Sequence, residues 1–205
     1  MSVILGINAY HAGSSACLLL DGVPVFAIAE ERLNRKKYYG GFPILSIQAC
    51  LDHAGIKMSN VDYVSIGRDS RANIQEKIKY TLKNPSKLLN FVKIKSARVE
   101  LDDIKSIMQS KMDLKSKDLR FKQINVEHHL AHISSAFFIS DYDNAAGFSC
   151  DGSGDFVTNM MADCYEDNID IKSRIYVPHS LGSFYSMICE FIGYKKYGDE
   201  GKVMG

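Results

Sequence analysis

The stretch Val3–Ala29, VILGINAYHAGSSACLLLDGVPVFAIA, decides the fold. Val3 to Asn8 is a short apolar run, Tyr10 to Ser14 a polar loop, and Ala16 to Leu20 a second run. Asp21-Gly22 then leads into Val23 to Ala29, and Asp-Gly between two β-rich runs is a strong hairpin signal. Three consecutive strands are therefore expected, with a chemically unusual first turn that carries His11. Beyond them Glu30 to Tyr39 is charged and aromatic, Gly40-Gly41-Phe42-Pro43 breaks the chain, and Ile44 to Ala54 has helical spacing that ends at Gly55. Val61 to Gly67 reads as another strand, and the alternation of strand and helix points to an α/β class.

Residues 71–120 change character. They contain no glycine and hold 13 Lys/Arg against 6 Asp/Glu, a basic helical insert read mainly as a solvated face. Ile74, Ile78 and Leu82 recur at i, i+4, i+8, which predicts one buried helix face. The strand pattern resumes at Gln123 to Val126, followed by a helix from about His128, a strand from Ala145 to Cys150, and a glycine turn. A long hairpin from Phe156 to Val177 and a helix from Leu181 to Phe191 complete the pattern. Two blocks of hairpin plus strand–helix alternation suggest an internal duplication.

Composition excludes other classes. With 46% hydrophobic and 24% charged residues over 205 positions, the chain is neither disordered, collagenous nor a coiled coil. A formal charge of +1 gives no global attraction to nucleic acid or to an anionic membrane. No apolar run reaches the ~18 residues of a membrane helix, and the first residues lack the basic and apolar regions of a signal peptide. Five cysteines, an odd number without a CxxC pair, suit a reducing compartment, so a cytoplasmic chain is expected.

The sharpest chemical feature is Glu127-His128-His129-Leu130-Ala131-His132. On a helix His128 and His132 share a face and can offer two imidazole nitrogens to one Fe, Zn, Ni or Cu ion, while His129 is rotated about 100° away. Position 129 is His where a zinc protease has its Glu, so that mechanism lacks its general base. Asp151-Gly152-Ser153-Gly154-Asp155 follows a strand. Its leading Asp151 can reach a metal, and backbone N–H groups of Gly152, Ser153 and Gly154 can approach a phosphate. An imidazole such as His11 can take a proton from a hydroxyl. Lys37 lies beside Tyr38 and Tyr39, where cations and rings suit a phosphorylated or sugar-like ligand. Lys202, in Gly198-Asp199-Glu200-Gly201-Lys202, either holds phosphate or caps the preceding helix.

In order, the motifs GINAYHAGSSACLLLDG, EERLNRKKYYGGFP, IGRDSRANI, VEHHLAHISSAFF, SCDGSGDF, VPHSLGSFY and KYGDEGKVMG resemble those of NodU/CmcH-type O-carbamoyltransferases, from Val3 to Gly205. The chain resembles the amino-terminal portion of their domain similar to the tRNA threonylcarbamoyltransferase. A further acidic ligand and a YrdC-like domain are expected beyond Gly205. The resemblance implies an actin, heat-shock chaperone and sugar kinase-like (ASKHA, ribonuclease H-like) fold, incomplete in this chain. It also implies transfer of a carbamoyl group from carbamoyl adenylate, made from carbamoyl phosphate and ATP, to a hydroxyl of a sugar, antibiotic or similar acceptor. It maps the ligands of a divalent metal, often Fe(II), onto His128, His132 and Asp151, and a general base onto His11. Lys37, Gly152, Ser153, Gly154 and Lys202 are the expected nucleotide or carbamoyl contacts. A tRNA-modifying threonylcarbamoyl transferase and a non-catalytic nucleotide- or metal-binding module are the rival readings. A fragment of a two-lobed fold also exposes apolar surface, which favours self-association.

Overall fold

The computed structural model describes residues 1–85 and 103–205. The middle of the basic insert lies outside the described residues, and the chain divides into two compact units.

The first unit takes in the residues up to Gly67 together with those from Asp103 to Val126. Strands β1 (Val3–Asn8), β2 (Ser15–Leu20) and β3 (Val23–Ala29) form the expected antiparallel meander. Asp21 and Gly22 both have positive φ, 50° and 83°, as the primed hairpin turn requires. On the other side of β1 lie β4 (Tyr63–Ile66) and then β5 (Lys122–Asn125), both parallel to it, giving the order β3-β2-β1-β4-β5. This mixed sheet with its flanking helices is of the expected α/β class. Strand alternation sends Val3, Leu5, Ile7, Ala16, Leu18, Val64 and Ile66 into one core. Two helices supply the rest: α2 (Ile44–Ala54) through Ile47, Cys50 and Leu51, and α4 (Ile104–Met112) through Ile104 and Met108. Gly55 ends α2 in the left-handed conformation. A short helix, α1 (Glu30–Asn34), starts the charged loop.

The basic insert is not uniformly a solvated face, because Ile104 and Met108 belong to the core of the first unit. Its start, α3 (Ile74–Lys83), groups with the second unit and corrects the expected buried face. Ile74, Ile78 and Leu82 are 51, 53 and 77% exposed. The half-buried row is Asn73, Glu76, Lys77, Tyr80 and Thr81, because Asn73 hydrogen-bonds to Glu127 and Tyr80 packs edge-on against Phe156. Polar anchoring has chosen the inward face over hydrophobicity.

In the second unit β6 (Asn144–Gly154), β7 (Val157–Tyr165) and β8 (Asn168–Tyr176) form an antiparallel meander. Helix α5 (His128–Phe137) lays Ile133 and Phe137 on Val157, Met160, Ala162 and Cys164. Gly147 permits close approach, since a Cβ there would meet Ile133 Cγ2 at 2.8 Å. Helix α6 (Leu181–Phe191) buries Cys189 and leaves Leu181, Phe184, Met187 and Phe191 exposed, and α7 (Glu200–Met204) follows it. Among the described residues no helix is long and apolar enough to cross a membrane.

Candidate metal centre

The i, i+4 geometry of α5 places His128 half-buried and His132 exposed on one face, and His129 on another. His128 Nε2 faces His132 Nε2 at 3.0 Å and Asp151 Oδ2 at 3.0 Å. The three ligand atoms all lie within 4.8 Å of one another. A single N–H on His128 would have to serve both neighbours, whereas one divalent cation takes a lone pair from each. Ligands at right angles and about 2.1 Å from one ion are about 3 Å apart, so the donor set and its spacing fit such an ion. The hydrogen bond from His128 holds the Asp151 carboxyl well below the usual carboxylate range, against the opposing effect of burial. The anionic form that a metal needs is thereby favoured.

His129 has a different duty. It is fully buried, with Nε2 3.0 Å from the Val157 carbonyl and Nδ1 2.8 Å from Ser149 Oγ. A carbonyl only accepts, so Nε2 carries the proton and Nδ1 accepts from the serine. Burial lowers its pKa, which keeps the ring neutral and the α5–β7 junction satisfied.

Asp151, Gly152, Ser153 and Gly154 are not the turn that the sequence suggests. They belong to β6, in the stretch between Cys150 and Gly154 where pairing with β7 becomes irregular. Gly154 pairs with Val157, so the turn is Asp155-Phe156, both with positive φ (50° and 78°). Neither Gly152 nor Gly154 needs the left-handed region. Gly154 is required for another reason: a Cβ there would fall into the His128 ring and 2.6 Å from His128 Cβ. A Cβ on Gly152 would meet only Ser183 Oγ, at 3.9 Å.

Two residues of VPHSLGSFY also shape the site, although the sequence suggests no role for them. Ser180 caps α6, accepting from Ser183 N–H at 3.0 Å, and its hydroxyl lies 3.0 and 2.8 Å from the Asp151 and Gly152 carbonyls. Gly182 lets the first turn of α6 rest on β6, since a Cβ there would come within 2.5 Å of Asp151 carbonyl carbon. A Ser N-cap followed by Gly was the only available signal.

Of the remaining sequence candidates, Lys202 belongs to the second unit and His11 and Lys37 to the first. Lys202 Nζ donates to Asp199 Oδ1 at 2.7 Å, an ion pair within the first turn of α7. In the first unit His11 is exposed, its Nδ1 3.0 Å from the Ala12 carbonyl, and Lys37 Nζ stands 4.8 Å from the Tyr38 ring centroid. The His11 turn and the Lys37 loop are stitched together by fully buried Ser14. Its N–H donates to Tyr39 O at 3.1 Å and its hydroxyl to Gly41 O at 2.6 Å.

The second unit of this α/β chain thus gathers two imidazoles and a carboxylate that could hold one metal ion. The chain belongs to the carbamoyltransferase N-terminus family, which it matches over residues 3–205. It is 36% identical over 211 residues to protein sll1178 of Synechocystis, covering 100% of this chain and 34% of that protein. It is 28% identical over 203 residues to the nodulation protein NolNO of Sinorhizobium fredii, covering 97% of this chain and 28% of that one. The chain thus spans about a third of the length of the curated relatives it matches. YeaZ from Pseudomonas aeruginosa superposes with a TM-score of 0.44 at 15% identity, covering 87% of this chain and 68% of that one.

Proposed function

We propose that the complete protein transfers a carbamoyl group from carbamoyl adenylate to a hydroxyl of a small-molecule acceptor, and that this chain contributes the metal-binding part of the transfer site. The observation that carries the reading is the convergence of His128, His132 and Asp151 in a chain of the carbamoyltransferase family. These three side chains would hold a divalent metal, Fe(II) by the family resemblance. When bound, such an ion supplies Lewis-acid stabilisation of the negative charge that develops on donor oxygens during acyl transfer.

The chain's own groups do the rest. Asp151 supplies the anionic oxygen that balances the ion's charge, and Gly154 leaves the room that the His128 ring occupies. The backbone N–H groups of Gly152, Ser153 and Gly154 are the proposed contacts for the adenylate phosphate, with Lys202 as an additional cation. His11 is the proposed base for the acceptor hydroxyl, and Lys37 the proposed partner of an anionic group on donor or acceptor. The proton leaves the hydroxyl as its oxygen attacks the carbamoyl carbon, and AMP departs with the electron pair of the broken C–O bond.

The test uses the complete protein with labelled carbamoyl phosphate, ATP and a panel of sugar and antibiotic acceptors. Label should appear in an acceptor, with loss after chelation and recovery on adding Fe(II). Binding of tRNA that weakens steeply with salt, with no label in any small acceptor, would support the RNA-modifying alternative that the basic 71–120 stretch favours.

A further inference from the structure

The motif IGRDSRANI and the acid that ends DGSGD contribute no ligand atom, yet both are bound to the start of the helix that does. Asp155 is 8% exposed. Its Oδ2 accepts from His128 N–H at 2.9 Å and from Asp69 N–H at 2.7 Å. Asn73 Nδ2 donates to the Asp155 carbonyl at 3.2 Å and to Glu127 Oε1 at 2.8 Å. Glu127 in turn accepts from Arg174, at 3.1 Å through Nε and 2.8 Å through a terminal nitrogen. Burial alone would raise the Glu127 pKa, but the hydrogen bonds from Arg174 and Asn73 and the guanidinium charge together lower it.

The first N–H groups of a helix have no partner within it. Glu127 occupies the N-cap of α5 without capping it through its side chain, and the cap for His128 comes from Asp155, 27 residues later. His128 is the first residue of α5, where fraying begins, and its Nε2 is the atom that meets both other ligands. His132, one turn further in, has the helix's own hydrogen bonds to fix it. The carboxylate of Asp155 therefore stands where backbone freedom would do most harm to the donor set.

We propose that Asp155 is a positioning residue of the His128–His132–Asp151 centre. It fixes the backbone of His128 by accepting its amide, and Asp69 and Asn73 hold Asp155 in place. This rests on the metal reading above and adds to it a residue that touches no ligand atom.

The backbone at Asp155 makes a clean test possible. Its φ of 50° is one that Gly adopts more readily than Asp and that Asn tolerates well. Asp155→Gly thus removes the acceptor without backbone strain, and Asp155→Asn keeps an oxygen able to accept the same two N–H groups. Each protein is titrated with Co(II) alone, following its visible spectrum, and the metal-free forms are melted in parallel. Asp155→Gly should bind Co(II) about 10–100-fold more weakly, as loss of an outer-shell partner does, with an altered spectrum. Asp155→Asn should restore affinity and spectrum to nearly wild type. Where Asp155→Gly does not fold, Asn73→Ser carries the test, with a smaller loss in the same direction. Variants that bind Co(II) with wild-type affinity and spectrum, whatever their melting temperatures, overturn the proposal alone. A wild-type protein that binds no Co(II) overturns the metal reading, and the proposal with it.

Discussion

Replacing Gly154 by alanine isolates one contact on which the site depends. The added Cβ would lie 2.6 Å from His128 Cβ and closer still to the ring. Non-bonded carbons rest about 3.5–4.0 Å apart, so the imidazole must withdraw by about 1 Å or more. Its Nε2 now stands 3.0 Å from both Asp151 Oδ2 and His132 Nε2, and a shift of that size breaks the shared geometry. Backbone strain plays no part, because Gly154 is outside the left-handed region. Gly152→Ala is the internal control, since its Cβ would meet nothing nearer than Ser183 Oγ at 3.9 Å. The assay is equilibrium titration with Co(II). Gly154→Ala should lose about 10–100-fold in affinity, or about 1.4–2.7 kcal/mol, and Gly152→Ala no more than about twofold. Equal losses in the two variants, or wild-type binding by Gly154→Ala, would refute the reasoning.

Other variants separate ligands from scaffold. His132→Ala should abolish metal retention with little change in the melting temperature of the metal-free protein, because its side chain is exposed. His129→Ala should do the reverse in melting experiments, costing about 2–4 kcal/mol through the emptied space and the unpaired Ser149 and Val157 groups. Asp151→Asn should weaken metal binding while preserving the fold, since the amide keeps the shape and loses the charge; unchanged binding would reduce Asp151 to a strand residue. In the complete protein His11→Ala should lower carbamoyl transfer by roughly 10²–10⁴-fold with metal content unchanged, and a loss of only a few fold would make His11 a spectator.

The meander of β1, β2 and β3 was legible because its signals are local: alternation within each run and Asp21-Gly22 between two of them. The pairing of His128 with His132 was legible for the same reason, since helix pitch alone puts them on one face. What the sequence hid depends on distant partners. Ile74, Ile78 and Leu82 do form a helix row, but spacing defines a face without saying what covers it. The charged and aromatic run beginning at Glu30 carries no local sign of a cap. In the fold Glu30 is 3% exposed, and its carboxylate accepts from Ser46 N–H at 2.7 Å, so it caps α2 from outside the helix. Asp155 does the same for α5. Such remote caps leave no local signature, because helix-start rules look for a capping residue at the helix itself. Gly154 was singled out for closeness to a phosphate, whereas its missing side chain makes room for a ring 26 positions earlier.

One ion held by two imidazoles and a carboxylate is the central proposal. X-ray absorption on the Fe(II)-loaded protein reads that coordination directly. The predicted spectrum contains two imidazole ligands and oxygen donors at about 2.0–2.2 Å, with the imidazole scattering lost in the His128→Ala/His132→Ala double variant. A first shell containing sulfur, or an imidazole signal that persists in the double variant, would contradict it.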